Sequence, residues 1–109
     1  MPSSARSVSY YPAARAELSK AIDWYLERSD RAAREFVRAV EQALLRIQEA
    51  PERYPQTRYR RRRFVLMNFP FDIVYRCTKE EIEIVAVAHH SRRPGYWMSR
   101  QRSKSRHGS

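Results

Sequence analysis

An α+β fold is the class this sequence predicts, and three observations predict it. The first half of the 109-residue chain carries two stretches with apolar residues at helical spacing. The second half carries three short segments rich in aromatic and β-branched residues, the composition of strands. A hydrophobic content of 42%, with 12% aromatic, suits one packed core, and the length leaves no room for a second. The expected order is β-α-α-β-β-β, an antiparallel sheet with an N-terminal helical hairpin packed on one face.

Each element has its own warrant. Residues 1–6 are Ser- and Arg-containing and read as a loose end. Ser7 to Tyr11 reads as a short strand, and Pro12 suits the first turn of a helix, where its missing N–H costs nothing. Ala14, Leu18, Ala21, Ile22 and Tyr25 then recur three and four residues apart, with Arg15, Lys20 and Glu27 on the outward side. Trp24 and Tyr25 fall where core and helix–sheet contacts are expected. Ser29 and Asp30 interrupt the pattern, and either caps a following helix. In that second helix Ala33, Phe36, Val37, Val40, Ala43, Leu44 and Ile47 form one stripe, and Pro51 ends it.

Phe64 to Met67 and Phe71 to Arg76 read as an antiparallel pair reversed at Asn68-Phe69-Pro70. Cys77 to Glu81 is a polar connector. Ile82 to His89 is an almost unbroken apolar run, as expected of a strand buried on both faces and lying inside the sheet. Residues 1–98 are expected to form one domain. The basic tail, 99–109, has too little apolar surface to fold and is expected to be disordered.

Composition also narrows function. The net charge of +10 is concentrated in Arg58 and Arg60 to Arg63, and again in Arg92, Arg93, Arg100, Arg102, Lys104 and Arg106. Unpaired positive charge in a compact domain is self-repulsive, so a polyanion or an acidic protein segment is the expected partner. The single cysteine, Cys77, has no internal disulfide partner, and a reducing cytoplasm is the simplest setting. No apolar run approaches the roughly 18 residues that a membrane span needs, and the N-terminus lacks the apolar core of a secretory signal. His89 and His90 have no third ligand at useful spacing, so neither metal nor cofactor is expected.

Strand alternation assigns the side chains to faces. Phe64, Leu66, Phe71, Ile73, Tyr75, Ile82, Ile84, Ala86 and Ala88 are expected against the helices. That leaves Val65, Met67, Val74, Val85 and Val87 as an apolar floor on the open face, rimmed by Arg63, Arg76 and His89. An exposed floor of this kind wants a cover, such as an amphipathic helix or an added strand.

Several motifs stand in a fixed order along the chain: Ala-x-x-Glu-Leu at 14–18, Trp24-Tyr25, the Pro-x-x-x-Pro loop at 51–55, Arg-x-x-x-Leu at 62–66 leading into Phe69-Pro70-Phe71, Ala-Val-x-His at 86–89, and Arg-x-Pro-x-Tyr-Trp at 92–97. Together, over residues 8–100, they resemble the RelE/ParE superfamily of toxins from bacterial type II toxin–antitoxin systems, and its ParE or plasmid-stabilisation branch in particular. The resemblance implies a growth-arresting toxin neutralised by a cognate antitoxin, which the floor of Val65, Met67, Val74, Val85 and Val87 would bind.

The superfamily holds two chemistries, and the resemblance leaves both open. In the first, the chain binds and inhibits DNA gyrase through Arg61, Arg63, Arg92, Arg93, Tyr96 and Trp97. In the second, it is a metal-independent, ribosome-dependent mRNA endonuclease using Arg63, Arg76, His89 and Tyr96, because 2′-OH attack on a phosphate needs a base, an acid and cations. The arginine run at 60–63 stands where such nucleases carry lysines, and an always-protonated guanidinium is a poor base. Gyrase inhibition is therefore the leading expectation. A nucleic-acid-binding domain whose arginines only neutralise phosphate is a third reading.

Overall fold

The computed structural model describes residues 6–102. Residues 1–5 of the expected loose end (1–6) and 103–109 of the expected tail (99–109) lie outside the described residues, whereas Arg6 is held, its carbonyl accepting from Gln48 at 2.7 Å. The elements are β1 (Ser7–Tyr10), α1 (Pro12–Leu26), α2 (Asp30–Glu49), β2 (Arg62–Val65), β3 (Phe71–Cys77) and β4 (Glu81–His89), the order that the periodicity predicts. The helical hairpin packs on one face of a four-stranded sheet ordered β1-β4-β3-β2. β4 is an interior strand, as its apolar run requires. β2–β3 and β3–β4 pair antiparallel, while β1 joins β4 parallel and makes the sheet mixed. The helical hairpin supplies the long crossover that returns the chain in the same direction.

Local chemistry sets the helix ends. Pro12 opens α1 at its first turn. The Ser29 hydroxyl accepts the Ala32 N–H at 3.1 Å and starts α2, with Asp30 in the first turn and Arg46 in the last, each favourable to the helix dipole. The stripe Ala33, Phe36, Val40, Ala43 and Ile47 is buried. Phe36 sits among the rings of Tyr25, Phe69 and Phe71, with centroids 5.0–5.3 Å away. The Tyr75 hydroxyl crosses the core to donate to the Pro51 carbonyl at 2.6 Å, tying the exit of α2 to the middle of the sheet. Trp24, expected in the core, is instead half exposed, because the next position, Tyr25, takes the inward slot and Arg28 stacks over the indole at 3.5 Å.

The sheet departs from simple alternation at one point. Val74 pairs with Ala86 but Tyr75 pairs with Ile84, so Val85 is an extra residue in β4. Such a bulge transfers every following side chain to the other face. Phe71 lies on Phe36 of α2, so Phe71, Ile73 and Tyr75 face the helices, as predicted. Their partners beyond the bulge, Val87 opposite Ile73 and His89 opposite Phe71, therefore face the helices too. Ala86 and Ala88, paired with Val74 and Asp72, lie on the open face. The expected orientation of these four residues is reversed.

The open face is also covered in part by the chain itself. Beyond β4, residues 91–100 fold back in successive tight turns, with Tyr96 N–H to Arg93 O, Met98 N–H to Gly95 O and Arg100 N–H to Trp97 O. Gly95 takes φ +77°, where a side chain would strain the turn. Trp97 is buried, edge-on to Tyr59 at 6.3 Å, and borders the same cavity as Val74 and Ala88.

Candidate functional site

Of the five residues expected to form an exposed apolar floor, Val74, Val85 and Val87 are at most 2% exposed, whereas Val65 and Met67 are 55% and 76% exposed. The buried three present little surface, although Val74 still lines the wall of the open cavity. What remains open is a cavity of about 660 Å³ between the strand β2, the loop before it and the 91–100 segment. Val65, Val74, Ala88, Tyr59 and Trp97 supply its apolar and aromatic surface, Arg58, Arg63, Arg92 and Arg93 supply cations, His90 supplies an imidazole, and His89 borders it from the end of β4 with its ring against Phe71. Asp72 is the acid inside it, and it is already engaged: its Oδ1 lies 2.8 Å from His90 Nε2 and its Oδ2 lies 3.7 Å from an Arg63 nitrogen. Arg58, Arg60, Arg61 and Arg93 have no acidic partner among the described residues. The groove thus presents uncompensated positive charge beside an aromatic wall.

Residues expected in a nuclease set are brought together only in part. Arg63, His89 and Tyr96 border the cavity. Arg76 lies four residues from Asp72 along β3, roughly 13 Å away, and is held at 2.7 Å by the buried Glu83. The hydrogen bond to Glu83 raises the Arg76 pKa further, so the guanidinium stays charged and committed. His89 Nδ1 accepts the Ser91 N–H at 3.0 Å, which fixes the ring at the turn, edge-on to Phe71. Tyr96 donates to Glu17 at 2.6 Å, and burial together with that bond pushes its phenol up to about 12. Arg61 donates to the Tyr59 carbonyl at 3.2 Å, and Arg92 stacks at 3.8 Å on the Tyr96 ring.

A second cluster joins α1, β4 and the 91–100 segment. Glu17 Oε1 accepts the Val87 N–H at 3.0 Å, and Arg100 grips both carboxylate oxygens at 2.8 Å. Burial pushes the Glu17 carboxyl up, but the bonds from Arg100, Tyr96 and Val87 and the Arg100 charge outweigh it and hold the group below its usual range. Alternation alone misses this cluster. Glu17 is visible beforehand as the acid of the Ala-x-x-Glu-Leu motif, whereas Arg100 falls in the stretch read as tail. Arg102 is also engaged, with Nε 3.2 Å from Glu83 Oε2. Beside the cluster lies a smaller cavity of about 320 Å³, walled by Trp24, Tyr25, Phe71, Val87 and Tyr96.

Cys77 is half-buried against Arg6, and burial raises its thiol pKa, which keeps it a weak nucleophile. Among the described residues no group of three or more His, Cys, Asp or Glu is placed to hold a metal ion, and no helix is long and apolar enough to cross a membrane.

Comparison with known proteins places this geometry. A chain from a solved structure, titled the chromosomal ParDE TA system from P. aeruginosa, superposes with a TM-score of 0.67 at 21% identity, covering 80% of this chain and 98% of that one. That likeness establishes the two-helix, four-strand fold. Among curated proteins, none matches the chain. The family described as ParE toxin of type II toxin-antitoxin system, parDE, matches residues 8–94, which run from β1 through β4 into the cationic segment. The chain belongs to the ParE toxin family of type II toxin–antitoxin systems.

Proposed function

We propose that this chain arrests growth in the cytoplasm by binding DNA gyrase and is held inactive by a cognate antitoxin. The observation that carries this reading is the groove of Tyr59, Val65 and Trp97 rimmed by Arg58, Arg63, Arg92 and Arg93, of which Arg58 and Arg93 have no acidic partner among the described residues. Such a surface suits an acidic protein partner: the aromatic residues supply buried contact area and the arginines supply steering and fork-shaped hydrogen bonding. Val65 of the edge strand β2 and Met67 in the turn that follows it are exposed, and an antitoxin segment laid there would gain apolar contact. Purified protein free of antitoxin is expected to inhibit gyrase supercoiling, with inhibition relieved by adding the antitoxin. No inhibition at stoichiometric excess refutes the gyrase target.

The second reading, an mRNA endonuclease at the ribosome, rests on Arg63, His89 and Tyr96 bordering one cavity. Against it stand the engagement of Arg76 by Glu83 and a Tyr96 hydroxyl already donated to Glu17. Ribosome-associated cuts that disappear with His89→Ala would establish it in place of gyrase binding.

A further inference from the structure

We propose that Glu17 is a positioning residue, latching the 91–100 segment across the sheet so that Arg92, Arg93 and Trp97 stand at the groove; this role rests on the docking reading of that groove. The argument starts from an unfinished strand edge. β1 ends at Tyr10, and its last tie to β4 is the Tyr11 N–H donating to the Ile84 carbonyl at 2.8 Å. Beyond that point β4 runs on to His89 with a strand neighbour, β3, on one side only. Backbone groups on the vacant side still need partners, because leaving them unpaired in a buried place is costly.

Two side chains replace the missing strand. Glu17 accepts the Val87 N–H at 3.0 Å, and Arg100 donates to the Val85 carbonyl at 3.0 Å. Arg100 also donates through both terminal guanidinium nitrogens to the two Glu17 carboxylate oxygens at 2.8 Å. Tyr96 adds a third tie from the same segment to the same carboxylate at 2.6 Å. Trp97 lies between these anchors, and Arg92 lies over the Tyr96 ring, so both follow wherever the anchors hold them. A single acid on α1 therefore finishes the edge of β4 and fixes the segment that borders the groove. A carboxylate accepting charge-assisted bonds from four nitrogen and oxygen donors is hard to replace by a neutral amide.

The chain has two tryptophans, so in a Trp24→Phe background Trp97 reports alone on the segment. Glu17→Gln is expected to make Trp97 emission red-shifted and more readily quenched by acrylamide. Exchange of the Val87 amide should be about tenfold faster while α2 amides are unaffected. Arg100→Ala should reproduce both effects, and Arg100→Lys should recover part of the protection. Quenching and exchange equal to the parent in all three variants overturn the latch. Should Glu17→Gln fail to fold, as read by circular dichroism, the two Arg100 variants decide the same question.

A gyrase supercoiling assay runs beside these measurements. Glu17→Gln is expected to need about tenfold more protein for half-inhibition, a shift typical of losing a preorganised surface. Undiminished inhibition by a variant whose segment is demonstrably loosened overturns the positioning role. A parent protein that does not inhibit gyrase removes the docking reading, and the Trp97 data still decide the latch.

Discussion

Tyr75 shows how much rests on single polar atoms in this core. Its ring is fully buried, and its hydroxyl is the partner of the Pro51 carbonyl at the end of α2. Burial raises the phenol's pKa, so it stays a donor under ordinary conditions. Tyr75→Phe keeps the packing but leaves that carbonyl unpaired, and should cost about 1–2 kcal/mol in urea unfolding. Glu17 offers a test of opposite character, through pH. Its folded pKa lies below the ordinary 4.5, so the ionised form is the one that the fold favours. Its contribution is fully present above the unfolded value and is lost as pH falls through the depressed folded value. Urea midpoints measured from about pH 6 down to about pH 3 should therefore fall less steeply in Glu17→Gln than in the parent.

Elements are where sequence pattern and structure agree most closely, and where they part. Helix α2 begins at Ser29 because a hydroxyl there satisfies a free N–H. Ser29→Ala should destabilise the protein by about 1 kcal/mol, read as a lowered thermal midpoint with an unchanged native spectrum. Its buried stripe was visible in the spacing of Phe36, Val40, Ala43 and Ile47, because a helical face depends only on neighbours three and four residues away. β4 was equally visible as a strand. Which way its far half points was not, because the extra residue at Val85 leaves no mark in a run where nearly every position is apolar. Period-two counting carried through the bulge puts Val87 and His89 on the wrong face, and the apolar floor built on that counting shrinks to Val65 and Met67.

At the scale of the whole molecule, charge and cover work together. Positive charge is spread through the chain, yet Glu17, Asp72 and Glu83 each sit beside one or more arginines and absorb them structurally. Arg58 and Arg93, which have no acidic partner among the described residues, border the groove, where such charge attracts anionic groups in a way that salt screens. Trp97 and its segment occupy ground that the alternation argument assigned to a partner. A solvent-facing patch of several valines would be a liability in a monomer, and covering it from within leaves a smaller, more polar open surface.

From residue order alone came the fold class, the six elements, their sequence along the chain, the interior place of β4 and the cationic character of the surface. Each depends on local spacing or on summed composition, and both are written in short windows of sequence. Only the tertiary structure decided which valines are reachable, that Arg76 belongs to Glu83, and that Glu17 meets Arg100 across 83 positions of chain. Those outcomes turn on one inserted residue in a strand and on an edge left open where β1 stops. Backbone groups must be satisfied wherever the folded chain leaves them, and no local pattern says which distant side chain will arrive to do it.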